Sequence, residues 1–108
     1  MRSISFEVEA EGELSAAVSF YEAQVEGLGA DFLAVLDHEL ARIQTSPLSF
    51  ALDPRTPASV EARRCVLPRF PFSVVFIDRA EGLRILAVAH QSRRPGYWRK
   101  RLGGRRSH

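Results

Sequence analysis

The sequence contains the stretch Arg84-Ile85-Leu86-Ala87-Val88-Ala89-His90, followed at once by Gln91-Ser92-Arg93-Arg94-Pro95-Gly96-Tyr97-Trp98-Arg99-Lys100-Arg101. The first part is an apolar run of strand length, which is typical of a buried β-strand. The second part holds the only tryptophan of the chain and a dense set of arginines. Because a buried strand is followed directly by such a segment, we expect the functional residues to lie at the C-terminal end of the strand.

Two further strands are predicted before this one, at Arg63–Leu67 and Phe72–Asp78. The first begins with two arginines and continues with apolar residues, and the second is almost wholly apolar. Because the connections 68–71 and 79–82 have hairpin lengths, we expect the three strands to form an antiparallel meander. Residues 47–62 are rich in proline and small polar residues, which predicts a long loop before the meander.

The N-terminal part of the sequence predicts one strand and two helices. Ser3–Glu9 alternates with period two, so that Ile4, Phe6 and Val8 share one face of a half-buried strand. Glu11-Gly12-Glu13 introduces a first helix, Gly27-Leu28-Gly29 ends it, and Asp31 opens a second helix that stops at Ser46-Pro47. The apolar stripes are Leu14, Val18, Tyr21 and Val25 in the first helix and Phe32, Leu36, Leu40 and Ile43 in the second.

These elements together predict an α+β fold of order βααβββ. An antiparallel helical hairpin packs on one face of the sheet, which we expect to be antiparallel throughout. We expect a single domain over residues 1–102 and a basic, disordered tail over residues 103–108.

Composition narrows the class of protein further. Cys65 is the only cysteine, which leaves no disulfide framework and no zinc site of the usual spacing. We expect its side chain to be a small buried hydrophobe. No apolar stretch approaches the roughly 18 residues of a membrane span, and Met1-Arg2 leads into a strand pattern and not a signal peptide. We therefore expect a cytosolic protein without a metal or cofactor.

The net charge of +2 conceals a strong segregation of charges. Residues 1–62 carry eleven acids and three bases, a net charge of −8, whereas residues 63–108 carry two acids and twelve bases, a net charge of +10. Two interpretations stay open: the halves neutralise each other in the fold, or the basic half faces a polyanion or an acidic partner.

Four segments, in this order, resemble the RelE/ParE superfamily of toxins from bacterial type II toxin–antitoxin systems. They are Ala17–Gly29, the helix end Ile43–Pro47, Arg69-Phe70-Pro71-Phe72, and Val88–Trp98. The resemblance implies a toxin that halts growth and forms a hetero-oligomer with a cognate antitoxin, which wraps it with a usually acidic segment. Within the superfamily, RelE-like toxins cut messenger RNA on the ribosome, whereas ParE-like toxins poison DNA gyrase.

The resemblance also assigns roles to side chains. RelE-like nucleases use basic side chains on the sheet and a tyrosine or histidine near the C-terminus. His90, Arg93 and Tyr97 fall where those C-terminal catalytic residues are expected, with Arg63 or Arg64 as a cation on the neighbouring strand. Where such nucleases commonly carry an arginine just inside the middle strand, this chain has Ser73. This departure favours a ParE-like toxin that acts by binding.

Other interpretations of these residues remain open. His90 either takes part in catalysis or bonds a neighbouring backbone carbonyl, while Tyr97 and Trp98 either stack on a base or pack over the core, with Trp98 as the anchor. We expect Arg63, Arg64, Arg93, Arg94, Arg99 and Arg101 to bind phosphate or a partner. Arg99, Lys100 and Arg101 are also consistent with a solvated tail.

Three hypotheses follow. The first is a ParE-like toxin whose basic half binds gyrase or its DNA complex. The second is a ribosome-dependent endoribonuclease that needs no metal. The third is a degenerate member that binds an antitoxin without harming the cell. In each active case we expect the antitoxin to lie in an apolar groove between the helical hairpin and the sheet edge.

Overall fold

The elements follow the predicted order βααβββ in the computed structural model, which describes residues 2–54, 56–57 and 59–102. The predicted tail, 103–108, lies outside the described residues. The elements are β1 (Ile4–Phe6), α1 (Val8–Gln24), α2 (Leu28–Thr45), β2 (Arg63–Val66), β3 (Phe72–Arg79) and β4 (Gly82–His90), with short 3₁₀ helices at Pro47–Ser49 and Tyr97–Leu102. The predicted α+β fold, with its helical hairpin on one face of the sheet, is confirmed.

The sheet has the strand order β1-β4-β3-β2. Strands β2, β3 and β4 form the predicted antiparallel meander, but β1 pairs with β4 in parallel, from Ile4 opposite Leu83 to Phe6 opposite Ile85. The expectation of a wholly antiparallel sheet is therefore wrong at β1. Because β2 and β4 are both antiparallel to β3, the strands β1, β2 and β4 all run in the same direction.

The boundary between β1 and α1 also differs from the prediction. The strand ends at Phe6 and the helix begins at Val8, so the expected strand Ser3–Glu9 is too long. The Glu7 carboxylate is buried against Arg84 on β4, with Oε2 2.6 Å from Nε, and the Glu7 N–H donates to the Ile85 carbonyl. Because Glu7 turns inward, Val8 points to solvent instead of joining the core.

The helical hairpin is close to the prediction. Phe32, Leu36 and Ile43 of α2 are buried, and Leu40 packs against the same core. Helix α2 begins at Leu28, three residues before the predicted start, because Gly27 adopts a left-handed conformation (φ +90°) that ends the turn early. In α1 the predicted stripe holds except for Val25, which caps the helix and is exposed.

The sheet has apolar residues on both faces. Val74 and Phe76 of β3 face the helices, whereas Val75 and Ile77 face a second core that includes Trp98. A β-bulge in β4 places Leu86 and Ala87 together in that second core. The 3₁₀ helix Tyr97–Leu102, which we call the C-terminal helix, therefore covers the sheet face opposite the hairpin.

Candidate functional site

The chain turns sharply where β4 ends, and this turn positions the predicted site residues. The Arg93 N–H donates to the His90 carbonyl and the Tyr97 N–H to the Arg94 carbonyl. The Trp98 side chain is then buried against the sheet, as its predicted role of anchor requires. The turn and this anchor place Arg93 and Arg94 on the exposed side of the segment.

Glu13 of α1 binds the C-terminal helix to the rest of the fold. Its Oε2 accepts from the Tyr97 hydroxyl at 2.5 Å and from Arg101 Nη2 at 3.0 Å. Its Oε1 accepts from Arg101 Nη1 and from the Val88 N–H, both at 3.0 Å. One carboxylate thus joins α1, β4 and the C-terminal helix.

Arg101 is part of the folded structure, which corrects its interpretation as a residue of a solvated tail. Its side chain is 13% exposed, and Nη1 also donates to the Leu86 carbonyl at 2.9 Å. Burial by itself would lower the pKa of Arg101, but the hydrogen bond to Glu13 and the charge of Glu13 outweigh it and raise that pKa. Its guanidinium is therefore a fixed internal cation.

The hydroxyl of Tyr97 is committed to the same carboxylate. Burial, and then the hydrogen bond to Glu13, raise the pKa of Tyr97 well above its ordinary value. A phenol in this state stays protonated and donates to Glu13, which removes it from acid–base work near neutral pH.

Arg93 is held much more loosely than Arg101. Its Nη1 lies 3.9 Å from Glu13 Oε2, its guanidinium carbon lies 3.8 Å from the centre of the Tyr97 ring, and its side chain is 53% exposed. The neighbouring Arg94 is exposed and pairs with no acid among the described residues. These two arginines form the basic ridge of the molecule.

A cleft of about 220 Å³ lies on the sheet face opposite the hairpin, and we call it the basic cleft. Five of the predicted site residues line it: Arg64, His90, Arg93, Arg94 and Tyr97. Arg64 Nη2 donates to the hydroxyl of the buried Ser73 at 3.0 Å. A cation from β2 thus lies beside the position where the resemblance leads one to expect an arginine on β3.

The remaining predicted residues lie elsewhere. Arg63 projects away from the basic cleft, where Nη1 donates to the Phe50 carbonyl at 2.8 Å and Nη2 lies 3.6 Å from Glu61. Arg99 Nε donates to the carbonyl of Gly96, the residue that precedes the C-terminal helix. Neither residue lines the basic cleft.

His90 lies between the basic cleft and a second depression. Its Nδ1 accepts from the Ser92 N–H at 2.9 Å, so its partner is a backbone N–H and not the backbone carbonyl that one of the two interpretations predicts. Its ring also contacts Phe72 edge-on, with centroids 5.0 Å apart. In the neutral side chain this hydrogen bond leaves the ring proton on Nε2.

The second depression is the apolar groove, of about 350 Å³, which lies between α1, the first residue of β3 and the last residues of β4. Its apolar lining consists of Ala16, Ala17, Phe20, Tyr21, Phe72 and Val88, and its polar rim includes Glu13, His90 and Arg93. Phe20 is 59% exposed there. The groove lies where the sequence predicts one.

A third and larger cleft, of about 790 Å³, lies beyond the basic ridge. Arg93, Arg94, Lys100 and Arg101 line one side of it, and Glu7, Val8 and Glu9 of the α1 start line the other. Arg93 and Tyr97 line this cleft, the basic cleft and the apolar groove alike. The two residues therefore stand where all three depressions meet.

Glu13 is the site residue that the sequence did not reveal. The sequence predicts only an acid at a helix start, because its partner Arg101 lies 88 positions away.

Within residues 2–54, 56–57 and 59–102, no three His, Cys, Asp or Glu side chains are grouped to hold a metal ion. In the same ranges no helix has the length and apolar character needed to span a membrane.

No protein-family model matches the sequence, and no curated protein matches it. One similar solved chain belongs to a structure described as the chromosomal ParDE TA (toxin–antitoxin) system from P. aeruginosa. It matches with a TM-score of 0.69 at 20% identity, over 83% of this chain and 96% of that chain. The chain therefore shares its fold with a chain from that ParDE toxin–antitoxin system.

Proposed function

We propose that this protein is the toxin of a type II toxin–antitoxin system, a ParE-like growth inhibitor that binds a large target such as DNA gyrase and is neutralised by a cognate antitoxin. The observation that carries the proposal is the shared fold with a chain of the ParDE system, over 96% of that chain. The site supports it, because a basic ridge and an apolar groove adjoin each other at Arg93.

The state of Tyr97 favours binding over cutting. Its hydroxyl donates to Glu13, and its raised pKa makes it a poor acid or base near neutral pH. Arg101 is likewise engaged by Glu13 and by a backbone carbonyl. What remains available is the exposed Arg93–Arg94 ridge, which is suited to contacts with carboxylates or phosphates of a target.

The apolar groove is the proposed docking site of the antitoxin. Its apolar floor fits the apolar face of an amphipathic segment, and Arg93 on its rim fits an acidic side chain of the same segment.

A second candidate, a ribosome-dependent endoribonuclease, is favoured by one observation. Arg64, His90 and Arg93 line a single cleft, which provides an imidazole for proton transfer beside two cations for a phosphate. In this candidate His90 is the acid–base group, because Tyr97 is bound to Glu13.

The two candidates are separated by replacing His90 with alanine. The matched control is His38→Ala, since His38 is an exposed histidine on α2 that lines neither the basic cleft nor the groove. Induced expression of the unsubstituted protein should arrest growth and cause gyrase-dependent DNA breaks without messenger RNA cleavage in a translating extract. His90→Ala should then arrest growth as strongly as His38→Ala.

The endoribonuclease is supported instead if the chain cleaves messenger RNA, His90→Ala abolishes that cleavage and His38→Ala leaves it intact. Expression that never slows growth would instead support the degenerate member.

The antitoxin is sought as a short acidic protein encoded next to this chain, whose binding should be weakened by Phe20→Ser. Val25→Ser serves as the control, because Val25 is equally exposed, at 60%, but lies outside the groove.

A further inference from the structure

We propose that Glu13 is a positioning residue which competes, from inside the fold, with external phosphate groups for Arg93. The inference rests on the proposed role of the basic ridge as a binding surface. In this proposal Glu13 lowers the affinity of that surface for phosphate. It follows from the different ways in which Glu13 holds its three side-chain partners, which are Arg101, Tyr97 and Arg93.

Two partners of Glu13 are held firmly. Arg101 donates to both carboxylate oxygens at 3.0 Å, a fork-like geometry in a largely buried place. Tyr97 adds a hydrogen bond at 2.5 Å. These contacts neutralise Glu13 and fix its carboxylate beside the ridge.

The third partner, Arg93, is held at the limit of an ion pair. The shortest approach is 3.9 Å between Nη1 and Oε2, and about half of the side chain is open to solvent. An exposed pair of this kind contributes only about 0.2–1 kcal/mol, so an external anion can displace it. The Tyr97 ring, 3.8 Å from the guanidinium carbon, gives Arg93 a surface on which to reorient.

The basic side chains around Arg93 indicate which kind of group its guanidinium would bind once it leaves Glu13. Arg93 borders the basic cleft with Arg64 and Arg94, and borders the larger cleft with Arg94 and Lys100. Among the described residues, neither Arg94 nor Lys100 pairs with an acid. Phosphate oxygens placed beside Arg94 would therefore draw Arg93 away from Glu13, at the cost of one weak ion pair.

The test is Glu13→Gln, which keeps the size of the side chain and an oxygen acceptor but removes the charge. Its control is Glu11→Gln, an equal change of net charge on the same helix at an exposed carboxylate without an ion pair among the described residues. The probe is a fluorescein-labelled oligothymidylate, measured by anisotropy over a range of salt concentrations. Inorganic tripolyphosphate as a competitor shows whether isolated phosphates suffice or a nucleic-acid backbone is needed.

Glu13→Gln should bind the probe about two- to five-fold more tightly than Glu11→Gln. In an Arg93→Gln background the difference between the two variants should disappear. A difference that persists there would assign the effect to Arg101 and overturn the proposal, as would equal affinities of Glu13→Gln and Glu11→Gln.

A separate result would show that the proposed function fails and not the role of Glu13. If Arg93→Gln and Arg94→Gln leave the affinity of the otherwise unsubstituted chain unchanged, the basic ridge is not a binding surface. Thermal unfolding checks that each variant is folded. If Glu13→Gln does not fold, Glu13→Asp withdraws the carboxylate by one methylene while keeping its charge, and should tighten probe binding by a smaller factor. Unchanged affinity in a folded Glu13→Asp would then overturn the proposal.

Discussion

Burial changes the chemistry of Cys65 on β2, whose side chain is 2% exposed as predicted for a small core residue. Burial, reinforced by a hydrogen bond to Glu39, raises the pKa of this thiol from 9.0 to about 12. The unfolded chain therefore loses the proton first as the pH rises. The stabilisation is fully present below pH 9 and is lost progressively as the pH rises towards 12.

We expect the free energy of unfolding to fall between pH 9 and pH 10 by at most about 1.4 kcal/mol per pH unit. Tyr21 and Tyr97 also have raised pKa values and add a smaller fall in the same window, because their ordinary value of 10.0 leaves these tyrosines about half ionised at pH 10 in the unfolded chain. Urea unfolding under reducing conditions at the two pH values measures the fall. Cys65→Ala should lower stability overall yet remove this part of the pH dependence, and an unchanged slope in that variant would contradict the assignment.

Individual residues also mark the limit of what the sequence predicts. The arginines and the histidine near the end of β4 could be chosen from their chemistry and their place after an apolar strand. The role of Arg101 could not, because its burial depends on Glu13, 88 positions earlier in the chain. Arg93 and Arg101 have the same side chain, but the fold buries Arg101 against that carboxylate and leaves Arg93 half exposed beside it.

Two glycines of the helical hairpin should respond in opposite ways to alanine. Gly12 lies inside α1 with no atom within 4 Å of an added Cβ, so Gly12→Ala should stabilise the protein by about 0.5–1 kcal/mol. At Gly29 an added Cβ would lie 2.9 Å from the Val18 carbonyl oxygen and 3.0 Å from Glu22 Oε1. Glu22 cannot easily retreat, because its two oxygens accept from the N–H groups of Gly27 and Gly29.

Gly29→Ala should therefore destabilise the protein by about 1–3 kcal/mol, the usual cost of overpacking. Midpoints of urea unfolding for the two variants, compared with that of the unsubstituted chain, test both signs. If Gly29→Ala proves as stable as Gly12→Ala, the close packing of α1 against the start of α2 is contradicted.

At the level of elements, periodicity predicted most of the fold. The apolar stripe predicted α2 and the apolar runs of strand length predicted the meander, and the structure places these elements as expected. Sequence reasoning failed at the start of α1, where Glu7, Val8 and Glu9 continue the alternation of β1. The chain leaves the sheet there because Glu7 pairs with Arg84 on β4, a contact that no local pattern encodes.

Across the whole molecule, some of the segregated charges neutralise each other in the fold, and others remain available for an external anion or an acidic partner. Glu7–Arg84, Glu13–Arg101 and Asp31–Arg69 join the acidic half to the basic half. Arg94 and Lys100 have no such partner among the described residues, and Arg93 has a weak one. Folding thus neutralises part of the basic half and leaves the ridge beside the groove with a positive charge.

This residual charge predicts that the proposed antitoxin complex weakens as salt rises. Exposed charges are screened over about 8 Å at physiological ionic strength, and contacts of the ridge with acidic side chains would be exposed in this way. Calorimetric titration of the chain with the acidic neighbour-encoded protein, at low and at high salt, gives the dependence. The double variant Arg93→Gln, Arg94→Gln should bind more weakly at low salt and lose most of the dependence, because the apolar groove would then supply the remaining attraction. A complex of the unsubstituted chain with equal affinity at both salt concentrations would exclude the ridge from antitoxin binding and leave the groove as the whole of the interface.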